Sequence, residues 1–135
     1  MAHPRMYRED DPHLAHVREL CLSFPEATEV EAWGRPTFRA GKIFCIFSGA
    51  DDHPFSLLFQ ADDDERPALL EDERFYLAPY YRGAPWVAFD LDAAPVDWVE
   101  LSELIDTSYR RVAHKRMIKA LDGRGSAGDE PGARR

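Results

Sequence analysis

No stretch of this chain approaches the roughly 20 apolar residues that a membrane span requires. The N-terminus sets Arg5, Arg8, Glu9, Asp10 and Asp11 close together and has no apolar centre of the kind a signal peptide needs. These absences predict a cytoplasmic protein with no membrane partner. Cysteine is scarce: Cys21 and Cys45 lie far apart in sequence without C-x-x-C spacing, so a zinc site or a redox pair is not expected and buried reduced thiols are. The histidines give no metal-binding spacing either. His13 and His16 are three apart but lack a third ligand, so no metal and no cofactor are expected.

Catalytic signatures are missing as well. No G-x-x-x-x-G-K-[ST] or G-x-G-x-x-G occurs, which argues against the two common kinds of nucleotide enzyme. Ser23, Ser48, Ser56, Ser102 and Ser108 have no nucleophile-elbow context, and no catalytic residue is assigned. Ser108, next to Tyr109, is expected to hydrogen-bond either back into its own helix or across to a sheet.

What is present is a single domain's worth of chain: 135 residues, 44% hydrophobic. Net charge is -8, which opposes generalised binding to phosphate backbones. The charge is uneven. Residues 1–108 carry 9 Lys and Arg against 22 Asp and Glu, whereas residues 109–124 carry six basic residues against Asp122 alone. The protein is acidic with one basic end.

Periodicity sets the expected elements. Asp11 before Pro12 is a good helix start, and Leu14, Val17, Leu20, Cys21 and Phe24 recur at helical steps up to Pro25. Residues 29–32, 36–40, 42–48, 55–60 and 86–91 read as strands, with turns at Gly34 and Gly41 and an exposed loop at 49–54. A short helix is expected over 64–71, and 75–85 reads as aromatic and turn-rich. From Asp97, Trp98, Leu101, Leu104, Ile105, Val112 and Met117 mark one long amphipathic helix to about 121, which Gly123 and Gly125 stop. This gives a flexible N-terminus (1–10), a domain (11–122) and a mobile tail (123–135), without internal repeats. The fold class is α+β: one antiparallel sheet, flanked by the N- and C-terminal helices on one face.

Four stretches, "WGRPTF" at 33–38, "GKIF" at 41–44, "PYYRGAPWVAFDLD" at 79–92 and "SYRRVAHKR" at 108–116, resemble the MmcQ/YjbR family of small bacterial proteins. The resemblance runs in order from about residue 14 to 119. It implies a secretion-chaperone-like or frataxin-like arrangement, and a DNA-binding role by similarity to a double-wing domain. That role rests on analogy of fold, and fold does not imply function.

Two regions are candidate sites. In "WGRPTF", Gly34 and Pro36 make a rigid corner, Trp33 and Phe38 pack on the core, and Arg35 stands at the apex. Arg35 is either a solvated corner residue or, with Thr37, a donor pair for an anion or acidic partner. If a pocket exists, Arg35, Thr37, Tyr80, Arg82 and Tyr109 are its candidate polar lining; Tyr80, Tyr81 and Arg82 are alternatively an aromatic plug on a sheet edge. At the basic end, Arg110, Arg111, Lys115, Arg116 and Lys119 either complement a helix dipole or contact DNA, joined by Arg35. In one continuous helix Arg111, Lys115 and Lys119 would form a stripe at i, i+4 spacing. The expected function is a non-enzymatic binding module. Its partner is DNA, weakly and salt-sensitively, or a protein held at the aromatic sheet edge; a small-ligand pocket or enzyme around Arg35, Tyr80 and Tyr109 is the third reading.

Overall fold

The computed structural model describes residues 5, 7–50, 53–78, 83 and 85–128, with side chains at all of these except 49, 50, 53, 54 and 125–128. The first helix, α1 (Pro12–Leu22), is capped by Asp11, whose carboxylate accepts the His13 N–H at 2.8 Å. Leu14, Val17 and Cys21 are fully buried along one stripe of it. Strands β1 (Thr28–Ala32), β2 (Arg35–Ala40), β3 (Lys42–Ala50) and β4 (His53–Gln60) follow as an antiparallel meander. A one-turn α2 (Arg66–Leu69) leads into β5 (Phe75–Tyr76) and β6 (Trp86–Asp90). The six strands lie in the order β1-β2-β3-β4-β6-β5. The chain continues through α3 (Trp98–Val112) and α4 (Lys115–Gly128).

The α+β class with one antiparallel sheet is as expected, and several local expectations need correction. The loop expected at 49–54 is narrower, because β3 runs to Ala50 and β4 starts at His53. The helix expected over 64–71 shrinks to Arg66–Leu69, because residues 62–65 form a turn closed on the Asp62 carbonyl by the N–H groups of Glu65 and Arg66. Residues 75–76, expected to be irregular, form a strand because Phe75 and Tyr76 pair with Phe89 and Ala88. The single long helix is in fact two. Ala113 is extended at ψ 151°, its N–H bonding the Tyr109 carbonyl, and α4 restarts on the His114 carbonyl, which accepts from Met117 and Ile118. The redirection buries Met117 at 4% exposure, and α4 runs through Gly123 and Gly125 to Gly128. Residues 129–135 of the expected mobile tail lie outside the described residues.

All four helices contribute to one core. Leu14, Val17 and Cys21 of α1 and Leu101, Leu104, Ile105 and Tyr109 of α3 pack with Phe38, Cys45, Phe59 and Val87, which register as one rung across β2, β3, β4 and β6. Leu69 of α2 and Met117 and Leu121 of α4 join the same cluster. The opposite face bears the alternate residues. Val30, Thr37, Ile46, Leu58, Ala88 and Tyr76 register across all six strands, and Ile46, Leu58, Ala88 and Ala78 form a small second cluster there.

Helix α3 is fixed to the sheet through Ser108. Its hydroxyl donates to the Phe44 carbonyl at 2.5 Å and accepts the Gln60 N–H at 2.8 Å, bridging β3 and β4 where their direct pairing ends. The adjacent Tyr109, fully buried, donates to the Pro25 carbonyl at 2.7 Å and stacks on Phe24, with ring centroids 4.8 Å apart. Of the two expectations for Ser108, the bond across to the sheet is the one formed.

Ser108→Ala strands a buried N–H and a buried carbonyl, so it is expected to destabilise by about 2 kcal/mol. Urea unfolding checks this, with an unchanged m value marking an intact fold. Gly34, at φ 77°, sits where β-branched residues do not belong. Gly34→Val is expected to cost about 1 kcal/mol or more, and an unchanged melting temperature would refute the rigid corner.

Candidate functional site on the helix-free sheet face

The β1–β2 hairpin closes on Ala32 opposite Arg35 with only Trp33 and Gly34 between them, and both carry positive φ, 55° and 77°. A two-residue loop with φ > 0 at both positions is the tight turn whose twist matches paired strands. Glycine takes that conformation freely and tryptophan does not, so Trp33 is held in a backbone region costly for its bulk. Nor does Trp33 pack on the core as expected: at the tip of the turn it is 47% exposed. Phe38 does, at 0%.

From this turn β2 sends Arg35, Thr37 and Arg39 to the helix-free face, since strand side chains alternate. Thr37 is fully buried; its hydroxyl donates to the Val30 carbonyl at 2.5 Å and accepts from Arg39 Nε at 3.1 Å. The threonine therefore fixes the Arg39 guanidinium along the strand. Arg35 makes one long contact, Nη1 to the Trp33 carbonyl at 3.4 Å, while its Nε is buried with no acceptor. Neither arginine has an acidic partner among the described residues. Arg8, Arg18, Arg74, Arg110, Arg111 and Arg116 all do. Val30 on β1, 41% exposed and directly opposite Thr37, adds an apolar element.

Of the sequence-derived pocket residues, Arg35 and Thr37 are thus brought together. Tyr109 is not with them: it lies in the core on the helix side of the sheet, where burial raises the pKa of its hydroxyl. Tyr80, Tyr81 and Arg82 lie outside the described residues. Arg39 escaped the sequence reading, although its period-two spacing from Arg35 and Thr37 in "RPTFRA" was the available signal.

The basic end is differently disposed. Arg110 bonds Asp106 at 2.6 Å and Asp122 at 2.8 Å; Arg111 bonds Asp62 at 3.2 Å; Arg116 forks onto Glu26 at 3.0 and 3.1 Å. The Arg116 guanidinium holds the Glu26 carboxyl below its usual range. Arg124 donates to the Ser23 carbonyl. The expected stripe of Arg111, Lys115 and Lys119 assumed one continuous helix, and the break at Ala113 removes it. Lys115 and Lys119 are exposed, without an acidic partner among the described residues.

Other candidate chemistry resolves into structure. His13 bonds Asp92 at 3.1 Å and His16 stacks on Trp98 at 3.6 Å, and no metal-binding cluster occurs among the described residues. Cys21 and Cys45 meet in the core, where burial, with their mutual hydrogen bond, pushes the Cys21 thiol up. A cleft of about 490 Å³ between the N-terminal segment and the sheet is lined by Arg5, Tyr7, Arg8, Asp11, Phe47, Ser48 and Phe55, but its arginines face Asp10, Glu9 and Glu31.

A family model described as YjbR matches residues 22–111. The chain belongs to the YjbR family. Its YjbR domain thus runs from the end of α1 to the last turn of α3, a narrower span than the motifs implied. It includes Arg35, Thr37 and Arg39 and excludes α4. The crystal structure of the Deinococcus radiodurans protein DR2400, which carries a DUF419 domain, superposes with a TM-score of 0.66 at 20% identity, covering 81% of this chain and 87% of that one. At that identity the likeness supports the YjbR-like fold. No curated protein matches the chain. No helix among the described residues is long and apolar enough to cross a membrane.

Trp33→Asn replaces a strained residue with one that accepts left-handed backbone, as two-residue hairpin turns prefer. It is expected to stabilise the YjbR domain by about 0.5–1 kcal/mol. Calorimetry checks the sign: a fall in melting temperature would mean that the buried half of the indole outweighs the strain.

Proposed function

We propose that this YjbR domain is a non-enzymatic binding module that holds an anionic protein partner on the helix-free face of its sheet, at Arg35, Thr37 and Arg39. The observation that carries the reading is the Arg35 Nε, a buried donor with no acceptor. Such groups are rare because each forfeits a hydrogen bond, and a ligand that supplies the acceptor recovers it. Arg39, fixed by Thr37, offers a second preorganised guanidinium on the same face, and the fork of arginine suits carboxylates.

DNA held by the basic end is the weaker reading. Arg110, Arg111 and Arg116 already neutralise carboxylates of this chain, and releasing them would cost the contacts that dock α3 and α4. The chain as a whole, at net -8, repels phosphate backbones as well.

Two variants separate the readings. Arg35→Gln with Arg39→Gln is expected to lower affinity for an acidic peptide by ten- to a hundredfold, the scale of one or two charge-assisted hydrogen bonds. Arg111→Glu with Lys115→Glu and Lys119→Glu is expected to leave it unchanged. Titrations of labelled peptide and of random duplex DNA, at two salt concentrations, give the answer. Duplex binding that the triple Glu variant abolishes and the Arg35, Arg39 pair leaves intact would replace the proposal with the basic-end reading.

A further inference from the structure

Among the described residues strand β1 is an edge, paired only with β2. Its register with β2 is unbroken from Thr28 opposite Arg39 to Ala32 opposite Arg35. In a two-residue hairpin the closing pair exchanges both hydrogen bonds, and bonded pairs then alternate with non-bonded ones. Ala32, Val30 and Thr28 therefore turn their N–H and C=O groups inward to β2. Glu29 and Glu31 turn theirs outward, and no backbone hydrogen bond from another described segment reaches them.

Edges of this kind are usually blunted by lysine, proline or a bulge. β1 has none of these. Its glutamate side chains do not shield it either, because both bend to the helix face: Glu29 onto Arg18 at 2.9 Å, and Glu31 as acceptor of the Tyr7 hydroxyl at 2.6 Å. On the other face the edge shows Thr28, Val30 and Ala32. The small Ala32 and Thr28 lie directly opposite Arg35 and Arg39, so no bulky β1 side chain stands between either arginine and whatever lies beyond the edge.

We propose, resting on the reading of Arg35 and Arg39 above, that the partner is an extended acidic segment that adds to β1 as a seventh, antiparallel strand. Opposite residues of paired strands share a face. The added residues facing Glu29 and Glu31 supply the backbone hydrogen bonds. The three alternating with them lie beside Ala32, Val30 and Thr28. Arg35 and Arg39 are four residues apart on one strand, about 13 Å at 3.3–3.4 Å per residue, which matches two carboxylates at i and i+4 of the added segment. Between them, at i+2, an apolar side chain covers Val30. The recognised pattern is acidic-x-apolar-x-acidic in extended conformation, bound by strand addition.

The probe is the peptide acetyl-Ser-Glu-Thr-Val-Thr-Glu-Ser-amide, compared with the same peptide N-methylated at both threonines, which removes the two N–H groups facing β1 and keeps every charge. Affinity comes from titration and the site from amide hydrogen exchange of the full chain. The expected result is binding by the parent peptide, slowed exchange at the Glu29 and Glu31 amides, and at least a tenfold loss on N-methylation. Equal binding of both peptides, abolished by Arg35→Gln with Arg39→Gln, would overturn strand addition while leaving the arginine site standing. Failure of the parent peptide to bind would overturn the inference. Slowed exchange at the same two amides that depends on protein concentration alone would assign the edge to a second copy of this chain, and would overturn it too.

Discussion

The hydroxyl of Ser108 stands where a backbone bond between β3 and β4 would otherwise continue, taking the Gln60 N–H and passing its own proton to the Phe44 carbonyl. One side chain thereby joins a helix to two strands at the centre of the sheet. Since consecutive residues on a helix point about 100° apart, fixing Ser108 on the sheet aims Tyr109 toward the end of α1, where it closes the core against Phe24 and the Pro25 carbonyl. This contact fixes α3 on the sheet, and among the described residues no helix packs on the other sheet face.

Charge is then distributed by what that layer needs. Arginines clamp acidic residues of the body: Arg74 joins Asp72 to Glu100, Arg18 joins Glu9 to Glu29, and Arg116 joins α4 to Glu26. Exposed pairs of this kind each contribute little to stability. Their larger effect is to occupy much of the described arginine charge of an acidic chain. Arg35 and Arg39, on the opposite face and without an acidic partner among the described residues, stand out against that background.

The local turn chemistry ties stability to this surface. Trp33 at positive φ is a poor choice for the hairpin, yet it presents an exposed aromatic at the tip next to Arg35, whose Nη1 contacts the Trp33 carbonyl. A residue that costs the fold at a position beside the candidate site is the pattern expected where binding rather than folding selects the side chain.

Elements governed by short-range rules were legible in the sequence. Asp11 and Pro12 begin a helix wherever they precede an apolar period, Gly34 forces a reversal, and alternation marks the strands, so the α+β class and the one-sided helix layer follow from residues 11–112. Arg35 and Thr37 were legible as neighbouring donors beside the reversal, although Trp33 and Gly34, not Arg35, form its apex. Tertiary structure decided the rest. Whether Arg111 is free depends on Asp62, 49 residues away, and whether Cys21 meets Cys45 depends on how α1 lies on β3. β5 exists because β6 pairs with it, and the break at Ala113 goes with the burial of Met117 in a core assembled from distant elements. Sequence period fixes which face a side chain occupies; which partner it finds there is a matter of distance in space, and that is set only when the sheet and its helices have closed.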